Sequence, residues 1–235
     1  MLPKSKAASL RDRNIALTKK DIRESVTPDQ MIIQALYSYD ELTKIAHNLA
    51  GRIRGWFSLT NPELEHRISD NRAFVEQVLE KETKSAMGAR FSDPDMKQLK
   101  ELAKSCLSIF QEQEKLIIYI DTLMKRHMPN VFVLVGGKLG ARLLSMAGSS
   151  KKLARMPAST IQLLGAEKAL FRHLINKKVK PPKHGVLHEH PLVQKADRNR
   201  RGKIARTLAD KLAIAAKVDY FGGKFMGDKL LKMIR

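Results

Sequence analysis

Asp93-Pro94-Asp95-Met96-Lys97-Gln98-Leu99-Lys100-Glu101-Leu102-Ala103-Lys104-Ser105-Cys106 opens a long helix. Ser92 stands at the cap, Pro94 sits where its missing N–H is harmless, and acids fill the first turn. Apolar residues then return at Met96, Leu99, Leu102 or Ala103, Cys106, Phe110, Ile117, Ile120 and Met124, before Pro129 closes the run. Steps of three and four place them on one face. At ~1.5 Å per residue such a helix spans roughly 50 Å, well beyond the ordinary mean of about 11–12 residues. Its length and narrow stripe make the fold class all-α.

Toward the N-terminus the same pattern recurs twice. Thr27-Pro28-Asp29 is a helix start, followed by Ile32, Leu36, Tyr39, Leu42, Ile45 or Ala46, Leu49, Ile53 and Trp56. Ser58-Leu59-Thr60-Asn61-Pro62-Glu63 ends that helix and starts a second over 63–84, carried by Leu64, Ile68, Phe74 or Val75, Val78 and Leu79. Met87-Gly88-Ala89-Arg90-Phe91 breaks it before the long third helix. Long helices with narrow stripes and balanced charge predict antiparallel coiled-coil packing within the chain. Residues 28–127 are thus expected to be a coiled-coil dimerisation domain. Residues 1–27 are polar and read as a remnant or linker of a preceding domain.

Beyond Pro129 the texture changes. Residues 131–146 are apolar and rich in small side chains. The longest apolar run, Val131-Phe132-Val133-Leu134-Val135, stops at Gly136-Gly137-Lys138, so no membrane span is expected. Gly136 and Gly140, four apart, would admit another helix closely. Residues 158–164 fit either a short helix or a buried strand. Next comes Leu164-Gly165-Ala166-Glu167-Lys168-Ala169-Leu170-Phe171-Arg172-His173-Leu174, a short amphipathic helix behind a glycine. A basic, proline-containing loop covers 176–185. Pro191 starts a helix, and Asp197 is a fair cap for a long last one. Ile204, Leu208, Leu212 and Ala215 form its apolar stripe, with Lys203, Arg206 and Lys217 on the far side. Arg198, Arg200 and Arg201 in its first turn would oppose the helix dipole.

The charge is lopsided. The whole chain carries +20, with a pI of about 10.1. Residues 1–127 hold 21 Lys and Arg against 18 Asp and Glu, while 128–235 hold 23 against 6. The second half should therefore seek a polyanion, and nucleic acid fits better than a membrane surface. Basic membrane helices carry a wide Trp/Phe/Leu face, and the single Trp56 lies in the near-neutral half. One cysteine, Cys106, excludes an internal disulfide and fits a reducing compartment.

Catalytic and cofactor motifs fail one by one. Gly136-Gly137-Lys138 lacks the earlier glycine and the following Ser or Thr of a phosphate loop. His184, His188 and His190 match no common zinc spacing. Cys106 has no histidine at a recognisable spacing and lies on the stripe, so it packs. No cofactor and no enzyme activity are expected. What remains is a basic surface: Lys168 and Arg172 one turn apart, Lys183 in the loop, and Arg200, Arg201, Lys203 and Arg206 on the last helix, with Arg142 a weaker member. Phe171 either stacks on exposed bases or packs inward with Leu170 and Leu174; the sequence leaves both open.

Several runs here closely resemble the Nop domain: Pro129-Asn130-Val131, Gly140-Ala141-Arg142-Leu143, Ala147-Gly148-Ser149, and above all Pro157-Ala158-Ser159-Thr160-Ile161-Gln162-Leu163-Leu164-Gly165-Ala166-Glu167-Lys168-Ala169-Leu170-Phe171-Arg172. Lys183-His184-Gly185 and Asp219-Tyr220-Phe221 continue the likeness, and Ile68-Ser69-Asp70-Asn71 resembles the coiled-coil domain that precedes it. The resemblance is closest to the archaeal scaffold of box C/D ribonucleoproteins. Glu167 through Arg172 set it apart from a spliceosomal relative with the same fold. It implies a non-catalytic scaffold that dimerises through the coiled coil, with a Nop domain over 128–235. That domain would bind kink-turn guide RNA together with the core protein that folds it. The site implied is Gly165, Ala166, Glu167, Lys168, Ala169, Leu170, Phe171 and Arg172, extended by Lys183, Arg200, Arg201, Lys203, Arg206 and Arg142. Fibrillarin, the family's 2′-O-methyltransferase partner, would dock on an N-terminal domain of which this chain carries a remnant. The expected place is an archaeal cytoplasm, or the nucleolus of a eukaryote. Within the resemblance, a spliceosomal-type Nop-domain ribonucleoprotein scaffold is the alternative; from the residues alone, it is a purely structural coiled-coil dimeriser with a non-specific basic half.

Overall fold

The computed structural model describes residues 4–80 and 87–234, with side chains from residue 9 onward. Among the described residues every regular element is a helix: α1 Lys4–Ser25, α2 Pro28–Phe57, α3 Pro62–Arg67, α4 Asn71–Leu79, α5 Asp93–His127, α6 Pro129–Ala147, α7 Ser150–Arg155, α8 Ala158–Leu163, α9 Glu167–Ile175, a 3-10 turn at Val186–Glu189, α10 Pro191–Gln194, α11 Arg201–Phe221 and α12 Gly227–Lys232. The all-α class is thus met. Residues 158–163 are helix rather than strand.

Side-chain caps set several boundaries. The Asn61 side chain accepts the Leu64 N–H at 3.1 Å, and Pro62 takes the first helical position of α3. The stripe from residue 63 predicted one helix, but the structure has two. Asp70 accepts the Ala73 N–H at 2.8 Å and starts α4 afresh. Arg54 pins the corner between them. Its guanidinium donates to the carbonyls of Ile68 at 2.6 Å and Glu65 at 3.3 Å, and lies 4.2 Å from the Phe74 ring centroid. A short polar side chain that bonds local backbone competes with helix continuation, and here it wins. Residues 81–84 of the expected helix lie outside the described residues.

The chain divides into two compact units, Ala35–Thr122, and Met1–Gln34 with Leu123–Arg235. In the first, Ala46, Ala50, Ile53 and Phe57 of α2 share a core with Leu99, Ala103, Cys106 and Phe110 of α5, closed by Phe74, Val75 and Val78. The Cys106 thiol donates to the Ala46 carbonyl at 3.7 Å, and the Gln113 amide donates to the Thr43 hydroxyl at 3.1 Å. Thr43 lies before Ala46 and Gln113 after Cys106, so α2 and α5 run antiparallel in this unit. Burial pushes the Cys106 thiol up to about 11, which leaves it a packing group.

In the second unit α11 is the centre. Ala205, Leu208, Ala209, Leu212, Ala213, Ala215 and Ala216 are buried against α6, α7, α8, α10 and α12. Alanines on most sides let five neighbours approach. α11 begins at Arg201, later than the sequence suggested. The Asp197 carbonyl accepts the Arg200 and Arg201 N–H groups in the turn that leads in, so Arg198 lies before the helix. At the other end the Asp219 carboxylate caps α6. It accepts from the Asn130 N–H and amide at 3.1 and 2.6 Å and from the Val131 N–H at 3.0 Å.

α6 runs through Gly136-Gly137-Lys138, where the apolar run ends, and Gly136 (φ 75, ψ 176) kinks it. By length and composition alone α6 would cross a membrane, yet Val131, Leu134, Leu139, Leu143 and Leu144 are buried within the protein. Gly140 is a close-approach glycine, since a Cβ there would meet Met124 Cε at 2.6 Å. Gly136 is not: nothing lies within 4 Å, and its role is the left-handed φ.

Candidate nucleic-acid interface

Among the described residues, α9 is the one helix of eight residues or more in its unit, apart from α1, with no fully buried residue. Gly165 launches it. Its φ of +83 is open to few residues with a Cβ, and an added Cβ would lie 3.2 Å from Met146 Cε and 3.4 Å from the Val186 nitrogen. The Glu167 carboxylate folds back to accept the Gly165 N–H at 2.7 Å. Glu167 is therefore a local cap for the turn that aims α9.

A second chain segment braces that turn. The Gly185 N–H donates to the Gln162 carbonyl at 2.8 Å and the Val186 N–H to the Leu164 carbonyl at 2.7 Å, while the Gln162 amide donates to the Lys183 carbonyl at 2.7 Å. Contact is so close that a Cβ on Gly185 would stand 1.8 Å from the Leu164 oxygen. The basic loop is thereby strapped to the base of α9. The Lys183 stem packs across Gly202, where a Cβ would meet it at 3.3 Å, so the loop also touches the first turn of α11.

The expected site residues fall into three groups. Gly165 and Ala166 shape the turn, and Leu170 is half-buried. Glu167, Lys168, Ala169, Phe171 and Arg172 are exposed along α9. Phe171 is 62% exposed, so it is not a core residue; Leu174 and Ile175, at 51% and 88%, extend an apolar strip beside it. The Lys168–Arg172 row and the Phe171–Leu174–Ile175 strip lie side by side on one short helix. Lys183, Arg200, Lys203 and Arg206 are exposed on the loop and α11. Among the described residues none of these cations pairs with a carboxylate.

Two members of the expected set are otherwise engaged. Arg201 donates to the carbonyls of Ala196 and Gln194 at 3.0 and 3.2 Å. Arg142 grips both Glu189 oxygens at 2.6 and 2.7 Å. These guanidiniums stitch α10 and the 3-10 turn into the fold.

His184, in the basic loop, and His188 stack at 4.9 Å with ring planes 13° apart. Burial, then the neighbouring His188, Arg201 and Lys183 charges, hold the His184 pKa below its ordinary value. His190 is buried; one ring nitrogen sits 3.1 Å from the Leu134 carbonyl, and the other accepts the Leu192 N–H at 3.3 Å. That pattern fixes a neutral ring, and burial depresses its pKa. Three histidines in seven residues were visible, but only the fold shows two stacked and one as a cap.

Comparison with known proteins follows the same residues. The family model described as "Nop: snoRNA binding domain, fibrillarin" matches residues 77–235. An uncharacterised NOP5 family protein of Methanocaldococcus jannaschii is 38% identical over 93% of this chain. Nucleolar protein 58 of Candida albicans is 36% identical over 82% of it, and the probable nucleolar protein 5-2 of Arabidopsis thaliana 37% over 83%. The chain spans 58%, 42% and 41% of the length of those three relatives. A crystal structure of a fibrillarin/Nop5p complex contains a similar fold, with a TM-score of 0.60 and 27% identity, covering all of this chain and 78% of the other. With its glycine-launched basic helix and a family match over most of its length, the chain belongs to the Nop family.

Proposed function

We propose that the chain is a non-catalytic scaffold of a box C/D ribonucleoprotein. Its C-terminal unit binds kink-turn guide RNA together with the core protein that folds that RNA, and its 35–122 unit pairs two copies. The methyl transfer to ribose 2′-hydroxyls belongs to fibrillarin in this reading.

One observation carries the reading: α9 exposes a cationic row and an apolar strip together. Lys168 and Arg172 suit phosphates. Phe171, Leu174 and Ile175 suit a protein face or an unstacked base. Left in water, three large apolar side chains on a nine-residue helix gain nothing, whereas a composite RNA–protein surface covers both strips at once.

A pull-down with kink-turn RNA tests it, with and without the core protein, against a plain duplex of equal length. The reading predicts capture of the RNA–core-protein pair over either component alone. Equal capture of plain duplex would reduce the chain to a non-specific basic dimeriser.

A further inference from the structure

A second surface lies at the other end of α6. Among the described residues six aromatic side chains are strongly exposed, and three of them fall within six positions: Tyr220, Phe221 and Phe225, at 37%, 66% and 53%. Tyr220 and Phe221 meet edge to face at 4.9 Å. Around them Lys217, Lys224, Lys229 and Lys232 are exposed, against one exposed acid, Asp228.

The backbone under this cluster is held from both sides by one buried residue. Asn130 donates to Asp219 at 2.6 Å, just before the aromatics, and its side-chain oxygen accepts the Met226 N–H at 2.7 Å, just after them. Gly222 (φ 74) ends α11 between the anchors, and an added Cβ on Gly223 would press on Val218 at 3.0 Å. The loop therefore presents its rings on a pre-set backbone, which lowers the ordering cost of a ligand that stacks on them.

This surface is not an extension of α9. Gly165 abuts Met146, in the last turn of α6, whereas Gly227 abuts Val133, near its start and on the other side of the Gly136 kink.

We infer that Tyr220, Phe221 and Phe225 form a stacking platform for a single-stranded stretch of RNA, with Lys217 and Lys224 taking its phosphates. Exposed rings beside lysines are the combination that binds unpaired bases without sequence preference. Charge decides against a second copy of the chain, because two such faces would bring like charges together. Duplex RNA offers no free base faces and should gain little here. The inference stands apart from the composite reading of α9, since it asks nothing of Lys168, Arg172 or a core protein.

Fluorescence anisotropy with a labelled twelve-nucleotide uridine RNA tests it on the full chain. The double variant F221A/F225A should weaken binding by at least roughly tenfold, as expected for lost base stacking. F221W should retain it, and K97A, on α5 in the other unit, should change it by less than threefold. Unchanged melting temperatures would confirm that each variant is folded, as their exposure predicts. Photo-crosslinking of a 4-thiouridine strand should yield adducts within 217–225. Unchanged affinity in F221A/F225A, adducts confined to α9, or a change of oligomeric mass in that variant would each overturn the inference.

Discussion

Gly165 and Asp219 show how single residues set the interface. Replacing Gly165 by alanine forces a Cβ into a left-handed turn already touching Met146 and Val186. A loss of about 1–2 kcal/mol in denaturant unfolding is expected, together with weaker partner binding as α9 loses its aim. Asp219 serves three donors, so Asp219→Ala orphans buried N–H groups at the start of α6 and should lose about 2–4 kcal/mol, with Asp219→Asn losing less. Titration of the two kinds of buried group runs in opposite senses. Burial raises the Asp219 pKa above its ordinary 3.8 despite those donors, so the native state takes up that proton first and Asp219 resists acid unfolding in that range. His184 and His190 are held below their ordinary 6.5, so the unfolded chain protonates first and stability falls as pH drops through and below 6.5. The melting temperature should therefore be lower at pH 5.5 than at 7.5, and the double variant H184F/H190N should flatten that difference. An unchanged pH dependence would show that neither ring governs it.

At the scale of elements, α9 separates stability from binding. Phe171 and Leu174 are exposed, so F171A and L174A should leave stability within about 0.5 kcal/mol while weakening capture of the RNA–core-protein pair; a large stability loss would mean the strip packs inward after all. The long helices were legible because their stripes repeat over many turns, and the starts at Pro28, Pro62 and Asp93 because proline and acid mark them. The α3–α4 break was not read, although Ser69-Asp70-Asn71 carries its cap, because the apolar spacing continues across it. What makes that cap decisive is Arg54, some fourteen residues earlier in sequence than its Ile68 partner. The Lys168–Arg172 pair was legible from helical spacing. The exposure of Phe171 was not, since a short helix bearing Leu170, Phe171, Leu174 and Ile175 normally buries them. Gly185 left no signal of its own: its need arises only where the basic loop meets Leu164.

For the whole molecule, the imbalance of charge between the two halves of the sequence sets the expected behaviour. RNA binding should weaken steeply between 50 and 200 mM salt, with log K falling by ~0.9 for each duplex phosphate contacted. Salt-independent binding would exclude a phosphate-led interface. Light scattering at micromolar concentration should give the mass of a dimer, and F57A or F74A, which open the core of the 35–122 unit, should reduce it along with stability. The most direct test of the central claim is the affinity of the chain for kink-turn RNA already loaded with its core protein, compared with that of K168A/R172A. Loss of at least roughly tenfold, with a shallower salt slope, is predicted from two phosphate contacts; equal affinity and equal slope would contradict the assignment of α9 as the docking helix.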